Sequence, residues 1–267
     1  MSLNHSVSAE MRKTIAGSLS AIEIKHDVTI LFACESGSRG WGFASPDSDY
    51  DVRFIYAHRL PWYLQVSTQR DVIEEPITGD LDINGWELRK ALGLLKKGNA
   101  TLIEWLDSPI IYRADESFLS RLRESARQTH RPERSFHHYV HMARKNYREY
   151  LQGDTVWLKK YLYVLRPLLA TLWVEQGRGV APMRFQELVN VLVSDAQLLE
   201  AIAQLLMHKR TAMESDFGKP MPIINRFIDK ELTRLESVMP PAIKETDFSV
   251  LDRLLHDVVM GDFRSKV

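Results

Sequence analysis

Residues 34–53 read Cys34-Glu35-Ser36-Gly37-Ser38-Arg39-Gly40-Trp41-Gly42-Phe43-Ala44-Ser45-Pro46-Asp47-Ser48-Asp49-Tyr50-Asp51-Val52-Arg53. An apolar run, Val28 to Cys34, leads into a small-residue turn at Gly37-Ser38, and further on Asp49 and Asp51 open a second apolar run, Val52 to Ala57. The pattern predicts a strand, a phosphate-holding turn, and a second strand that carries two metal-ligating carboxylates. Side chains on a strand repeat with period two, so Asp49 and Asp51 share one face while Tyr50 and Val52 take the other. No basic residue stands between the two acids, and a divalent cation would relieve their repulsion. Mg²⁺ is a hard ion that takes oxygen ligands, usually one or two carboxylates plus substrate phosphates and water. A shared carboxylate can also bridge two ions roughly 3.5–4 Å apart, an arrangement suited to in-line displacement at phosphorus. Gly37 lets the backbone approach a phosphate, Ser38 adds a hydroxyl donor, and N–H groups of the turn complete the cradle.

Competing motifs fail on their own spacing. Asp47-x-Asp49-x-Asp51 begins like a calcium-binding loop, but Val52 stands where that loop needs Gly and His58 where it needs Glu. Gly37, Gly40 and Gly42 run in the wrong order for a dinucleotide fingerprint, and no Gly-Lys-Ser/Thr follows for a P-loop. The structural alternative is that Asp47 and Asp49 only shape an Asx turn ahead of an ordinary strand.

Composition narrows the class. A chain of 267 residues supports one large or two modest domains. Lys+Arg and Asp+Glu balance at 35 each, so no global basic field marks a polynucleotide partner, and any such binding would rest on local patches. The single cysteine, Cys34, lies in an apolar run, which fits a buried small hydrophobe in a reducing compartment. The N-terminus lacks a signal-peptide pattern, and the longest apolar run, Tyr161 to Val174, is broken by Arg166 and Pro167. A soluble, cytoplasmic protein with no membrane partner is expected, its oligomeric state open.

The first half alternates helix and strand. Ser8 caps an amphipathic helix to about His26, with Met11, Ile15, Leu19 and Ile22 on its apolar face. Strands are predicted at Val28–Cys34, Val52–Ala57, Asp71–Glu75 and Asp80–Asn84, and an edge strand at Pro109–Tyr112. Gly85-Trp86 should start a helix running from Glu87 to Lys97; further helices are expected at Thr101–Asp107 and Glu116–Gln128. Arg39, Trp41 and Phe43 crowd the turn: Arg39 is placed to meet phosphate, and Trp41 either stacks on a base or packs in the core. The polar stretch Thr129–Arg134 marks a domain boundary.

Everything beyond it reads helical. His137 and His141 are spaced i,i+4 to ligate a metal, yet no Glu follows the first His in the zinc-protease pattern, and their basic stripe favours a solvated or phosphate-facing surface. A long helix over Asp154–Gln176 should kink or break near Arg166 because of Pro167. Phe185–Val193, Ala196–Met213, Ile223–Met239 and Ser249–Val259 complete a bundle, and the tail from Gly261 to Val267 should fray. The expected fold is therefore an α/β domain over residues 1–130, a small mixed sheet with flanking helices, followed by an all-α helical domain over residues 131–267.

At Gly37-Ser38 and Asp49-x-Asp51 the chain resembles the DNA-polymerase-β-like nucleotidyltransferase superfamily. More narrowly, Gly37–Phe43 followed by Ser48–Arg53 resembles the RNA-repair-associated polymerase-β family (RlaP). The blocks Asp82-Ile-Asn-Gly-Trp-Glu-Leu-Arg-Lys90 and Lys159-Lys-Tyr-Leu-Tyr-Val-Leu-Arg-Pro167 extend the likeness from about Val28 past Arg166. The resemblance implies a nucleoside triphosphate substrate, Mg²⁺ in a two-metal site on Asp49, Asp51 and Asp82, and loss of pyrophosphate. It makes Asp82 the general base toward the incoming hydroxyl or a holder of the metal that activates it; an edge-strand Asp facing water is the alternative. It gives Gly37, Ser38 and Arg39 to the phosphates, with Lys159 or Lys160 and Arg166 contributed by a helical domain closing the nucleotide cleft. The acceptor stays open among an RNA end, a protein side chain and a small hydroxylated molecule. A nucleotide-binding regulatory module without turnover is the alternative class.

Overall fold

The computed structural model describes residues 7–211, 217–243 and 245–261. In chain order the elements are α1 (Ala9–His26), β1 (Thr29–Glu35), α2 (Gly37–Trp41), β2 (Tyr50–Ala57), α3 (Leu60–Tyr63), β3 (Val72–Glu74), β4 (Leu81–Glu87), α4 (Leu88–Lys96), α5 (Ala100–Leu106), β5 (Ile111–Ala114) and α6 (Glu116–Gln128). There follow α7 (Pro132–Tyr150), β6 (Val156–Trp157), α8 (Lys160–Glu175), α9 (Phe185–Leu192), α10 (Ala196–Thr211), β7 (Phe217–Gly218), α11 (Pro222–Arg234) and α12 (Ser249–Met260). The expected extension of α10 to Met213 and the fraying tail after Gly261 fall outside the described residues. Among the described residues no helix is long and apolar enough to cross a membrane.

The chain divides into two compact units. The first comprises residues 1–40, 49–130 and 245–267, and the second residues 41–48 and 131–244. Two segments depart from a single cut near residue 130. Helix α12 belongs to the first unit, where it packs on α4 and α6 and Arg121 pairs with Asp257. The short segment Trp41–Ser48 belongs to the second.

The first unit is a five-stranded mixed sheet in the order β3-β4-β2-β1-β5, in which β2 and β4 run parallel and every other pair is antiparallel. Helix α1 begins where the Ser8 hydroxyl accepts from the Met11 N–H at 3.1 Å, satisfying one of the amides left over at a helix start. Its buried side chains, Ile15, Leu19 and Ile22, recur on one helical face. They meet Val52, Phe54 and Tyr56 of β2 and Ile83 of β4 in one apolar cluster. Because strand side chains alternate, Asp51 and Arg53 of β2 and Asp82 of β4 stand on the opposite face of the sheet. Trp86 shares that face and stacks on Trp105 of α5 with ring centroids 4.0 Å apart.

Strand β4 runs farther than the sequence predicts. Gly85 and Trp86 do not start a helix; they pair with Phe54 and Ile55, and the ladder continues to Glu87 opposite Tyr56. The absence of a side chain at Gly85 is what permits this, since a Cβ there would lie 2.3 Å from the Phe54 ring. Glu87 then caps α4 by accepting from the Lys90 N–H at 3.2 Å.

The second unit is helical, with one short antiparallel ribbon pairing β6 and β7 that helical periodicity alone does not announce. The start of the predicted Asp154–Gln176 helix is consumed by that ribbon. Helix α8 then continues unbroken through Pro167, without the expected break near Arg166. Its residues are buried almost all round, so tertiary packing outweighs the lost backbone bond.

Gly85→Ala should lower stability by about 1–3 kcal/mol through overpacking against Phe54. Urea denaturation of Gly85→Ala with and without Phe54→Leu checks this: the smaller residue at 54 should return part of the loss, giving a coupling energy of about 0.5 kcal/mol or more.

Candidate active site

The parallel pairing of β2 and β4 sets Asp51 directly opposite Asp82. Their carboxylates meet at one point. Arg53 Nη2 donates to Asp51 Oδ1 at 2.7 Å and to Asp82 Oδ2 at 2.6 Å. Its Nη1 donates to the carbonyls of Val52 at 3.0 Å and Asp82 at 3.1 Å. A single planar guanidinium thus holds two acids from neighbouring strands, which suits the fixed fork of an arginine. Each acid side chain keeps 29 % exposure, so the pair is not sealed from solvent.

The turn after β1 is built against this pair. Its first residues form the single-turn helix α2, closed by the Gly40 N–H on the Ser36 carbonyl at 3.1 Å. Gly37 has φ +55°, and a Cβ on it would fall 2.0 Å from Asp51 Oδ2. A side chain is therefore excluded twice, by backbone conformation and by the carboxylate pressed against the turn. The Ser36 N–H also donates to the Asp51 carbonyl at 2.8 Å.

Beneath the turn lies an acid to which the sequence assigns no role. Glu35 is fully buried at the end of β1. Its Oε1 accepts from the Asp51 N–H at 2.9 Å, and its Oε2 accepts from the Tyr112 hydroxyl at 2.5 Å. The Ser108 hydroxyl donates to its backbone carbonyl at 2.6 Å. Burial is the main cause that lifts the Glu35 carboxyl to about 7; the hydrogen bonds from Tyr112 and Asp51 pull the other way, and the charge of Asp51 adds to the rise. Cys34 beside it is buried, and that burial pushes its thiol well above the ordinary range, as befits a small core residue.

The other predicted residues divide clearly. Ser38 is buried within the turn. Arg39 is buried as well; its Nε donates to the Asp49 carbonyl at 3.2 Å and its guanidinium lies 3.9 Å from the Tyr50 ring centroid, so it ties the turn to the acid strand. Asp49 is exposed just ahead of β2. Among the described residues no three His, Cys, Asp or Glu side chains form a metal-sized cluster, the His137–His141 pair included. The donors that do converge, two carboxylates from adjacent strands, fit an ion such as Mg²⁺ that completes its shell with water and phosphate.

In the second unit, Lys159 lies with its ammonium 4.2 Å from the Trp157 ring centroid, and Lys160 rests 4.0 Å from that of Tyr150 with Trp157 and Tyr163 about it. Arg166 is 1 % exposed: its guanidinium lies over Trp41 at 4.9 Å and its Nε donates to the Met183 carbonyl at 3.3 Å. That interior place differs from the ligand-facing one the resemblance implies, and the cause is aromatic packing around its charge. Trp41 is engaged in the same way, with Phe43 at 5.6 Å and Tyr163 at 5.5 Å, which favours core packing over base stacking.

A mixed sheet with paired acids on adjoining parallel strands under a glycine turn is in keeping with the polymerase-β-like resemblance of the sequence, and the family match agrees. The chain belongs to the RNA repair pathway DNA polymerase beta family (RlaP), whose model matches residues 11–257. It is 45 % identical over 251 residues, 93 % of this chain and 96 % of the relative, to a Bacillus subtilis (strain 168) protein named uncharacterized protein YcgL. It also matches the crystal structure of a nucleotidyltransferase-like protein from Exiguobacterium sibiricum 255-15, with 14 % identity, a TM-score of 0.31, and coverage of 94 % of this chain and 78 % of that one.

Gly37→Ala should displace the Asp51 carboxylate and destabilise the fold by about 1–3 kcal/mol, whereas Gly93→Ala, inside α4 with open space at its Cβ, should be neutral or slightly stabilising. Thermal melts of both variants provide the comparison. For Glu35 the sign follows from linkage: the folded carboxyl keeps its proton to about pH 7, whereas an unfolded one releases it near 4.5. The native state therefore binds more protons within that window, and stability falls as pH rises through it. Glu35→Gln removes this dependence, so in metal-free buffer its stability relative to the parent should climb from pH 4.5 to 7 by an amount on the order of 2–3 kcal/mol and then level off. Urea titrations across that range measure it.

Proposed function

We propose that the protein is a Mg²⁺-dependent nucleotidyltransferase that moves a nucleoside monophosphate from a nucleoside triphosphate to an acceptor hydroxyl. The observation that carries this reading is the meeting of Asp51 Oδ1 and Asp82 Oδ2 on one cationic nitrogen, with the Gly37 turn against the other Asp51 oxygen. In this reading Asp51 and Asp82 hold the metal and exposed Asp49 joins them. When bound, Mg²⁺ supplies charge neutralisation for the phosphates and lowers the pKa of the attacking hydroxyl. Asp82 accepts the acceptor's proton, the acceptor oxygen bonds to the α-phosphorus, and the bond from that phosphorus to the bridging oxygen breaks, releasing pyrophosphate. Gly37 and Ser38 are assigned to the β- and γ-phosphates, as the resemblance implies, through backbone amides and a hydroxyl. Arg39 holds the acid strand in place, and the triphosphate cation is assigned to Lys159 or Lys160, as the resemblance implies. The acceptor we favour is an RNA end, in keeping with the description of the family.

One observation supports a second reading, a nucleotide-binding module without turnover. Arg53 already neutralises the acid pair that would hold the metal. Transfer of label from an α-phosphate-labelled triphosphate, offered RNA, protein and small-molecule acceptors in parallel, separates the two. Asp51→Asn or Asp82→Asn should reduce transfer by at least about a hundredfold, while metal-free stability changes by no more than about 1 kcal/mol because the ion pairs are partly exposed. Nucleotide binding without turnover, and insensitive to Asp51→Asn, would establish the module instead. Label found only in protein would exclude the RNA acceptor.

A further inference from the structure

Between the Gly37 turn and the acid strand the chain leaves the first unit: Trp41–Ser48 folds with the helical unit, while Gly37–Gly40 before it and Asp49–Asp51 after it fold with the sheet. Both sequence neighbours of this segment are thus parts of the candidate site. Within the helical unit the segment is held at each end. At its start, Trp41 and Phe43 pack edge-on to Tyr163, Phe43 meets Phe185 at 5.7 Å, and Arg166 lies over Trp41. At its end, Ser45–Ser48 forms a closed turn in which the Ser48 N–H donates to the Ser45 carbonyl at 3.1 Å and the Ser48 hydroxyl accepts from the Ser45 N–H at 3.0 Å.

That turn carries a lysine that belongs to neither motif. Lys209 of α10 is 4 % exposed, and its Nζ donates to Ser45 Oγ at 2.6 Å with Ser48 Oγ at 3.5 Å; the two serine hydroxyls are themselves 2.9 Å apart. Withdrawing an ammonium from water is expensive unless hydrogen bonds replace its hydration, so its presence fixes these hydroxyls in one arrangement. The next residue is Asp49, whose carbonyl receives Arg39. Tyr50 follows, with its N–H on the Asp80 carbonyl at 2.7 Å, and then Asp51, with its N–H on Glu35.

We propose that Lys209 is a positioning residue: by fixing the Ser45–Ser48 turn it sets where Asp49 and Asp51 enter β2. Its structural content stands on the contacts above, while its consequence for catalysis rests on the nucleotidyl-transfer reading. Hydrogen exchange of the Tyr50 and Asp51 amides in full-length Lys209→Met tests it directly. Protection there should fall by about tenfold while amides in α1 keep theirs, and Mn²⁺ affinity measured by calorimetry should weaken by a similar factor. Unchanged protection at Tyr50 and Asp51 would overturn the proposal. A parent protein that binds no Mn²⁺ would sink the catalytic reading and leave the exchange result to decide the role of Lys209. Should Lys209→Met fail to fold, the Ser45→Ala/Ser48→Ala double variant reads the same amides.

Discussion

The register of one parallel strand pair governs this molecule. Parallel β2 and β4 place Asp51 opposite Asp82, and because strand side chains alternate, a slip of one residue would turn one acid into the apolar cluster under α1 and bury it without a partner. The register is anchored at the far end of the ladder, where the Phe54 ring occupies the space that a side chain on Gly85 would need. Apolar packing on one face of the sheet thus determines the placing of charge on the other. The candidate site follows from the core.

Around that pair the protein manages negative charge with unequal means. Arg53 meets the partly buried acids by direct pairing. Glu35, buried under the turn, is accommodated instead by a raised pKa and by donors from Tyr112 and Asp51. The contrast reflects solvation: the acid pair keeps part of its surface in water beside a cation, while burial drives the Glu35 pKa up to about 7. Glu35 also joins the end of β1 to β5 and β2 through side-chain bonds, and this makes the Gly37 turn part of the sheet instead of a surface loop.

The helical unit is tied to the site by covalent continuity through Trp41–Ser48. Aromatic rings lie beside the charges of Lys160 and Arg166, and the Lys209 ammonium donates to the Ser45 hydroxyl. Of these, Arg166 is the one that the resemblance placed toward a ligand and that the structure buries.

Much of this was legible in the linear chain. Period-two alternation marks Asp51 and Asp82 as strand acids, helical periodicity marks α1, α4 and α6, and the small residues at 37 and 38 mark the turn. The same alternation also puts Arg53 on the acid face, but inspecting only the residue between Asp49 and Asp51 overlooks the cation two positions further on. Other features had no local signal. The two-residue ribbon β6–β7 depends on a partner some 60 residues away in the chain, and α12 returns to the first unit by long-range packing. The unbroken α8 reflects burial that overrides the preference of Pro167. Sequence alone determined which residues could be strand acids, turn glycines and core faces, because these depend on the geometry of a few neighbouring residues. Only the tertiary structure decided which acids meet, which cations they meet, and that Glu35 is buried beneath them, because those are properties of space shared by segments far apart along the chain.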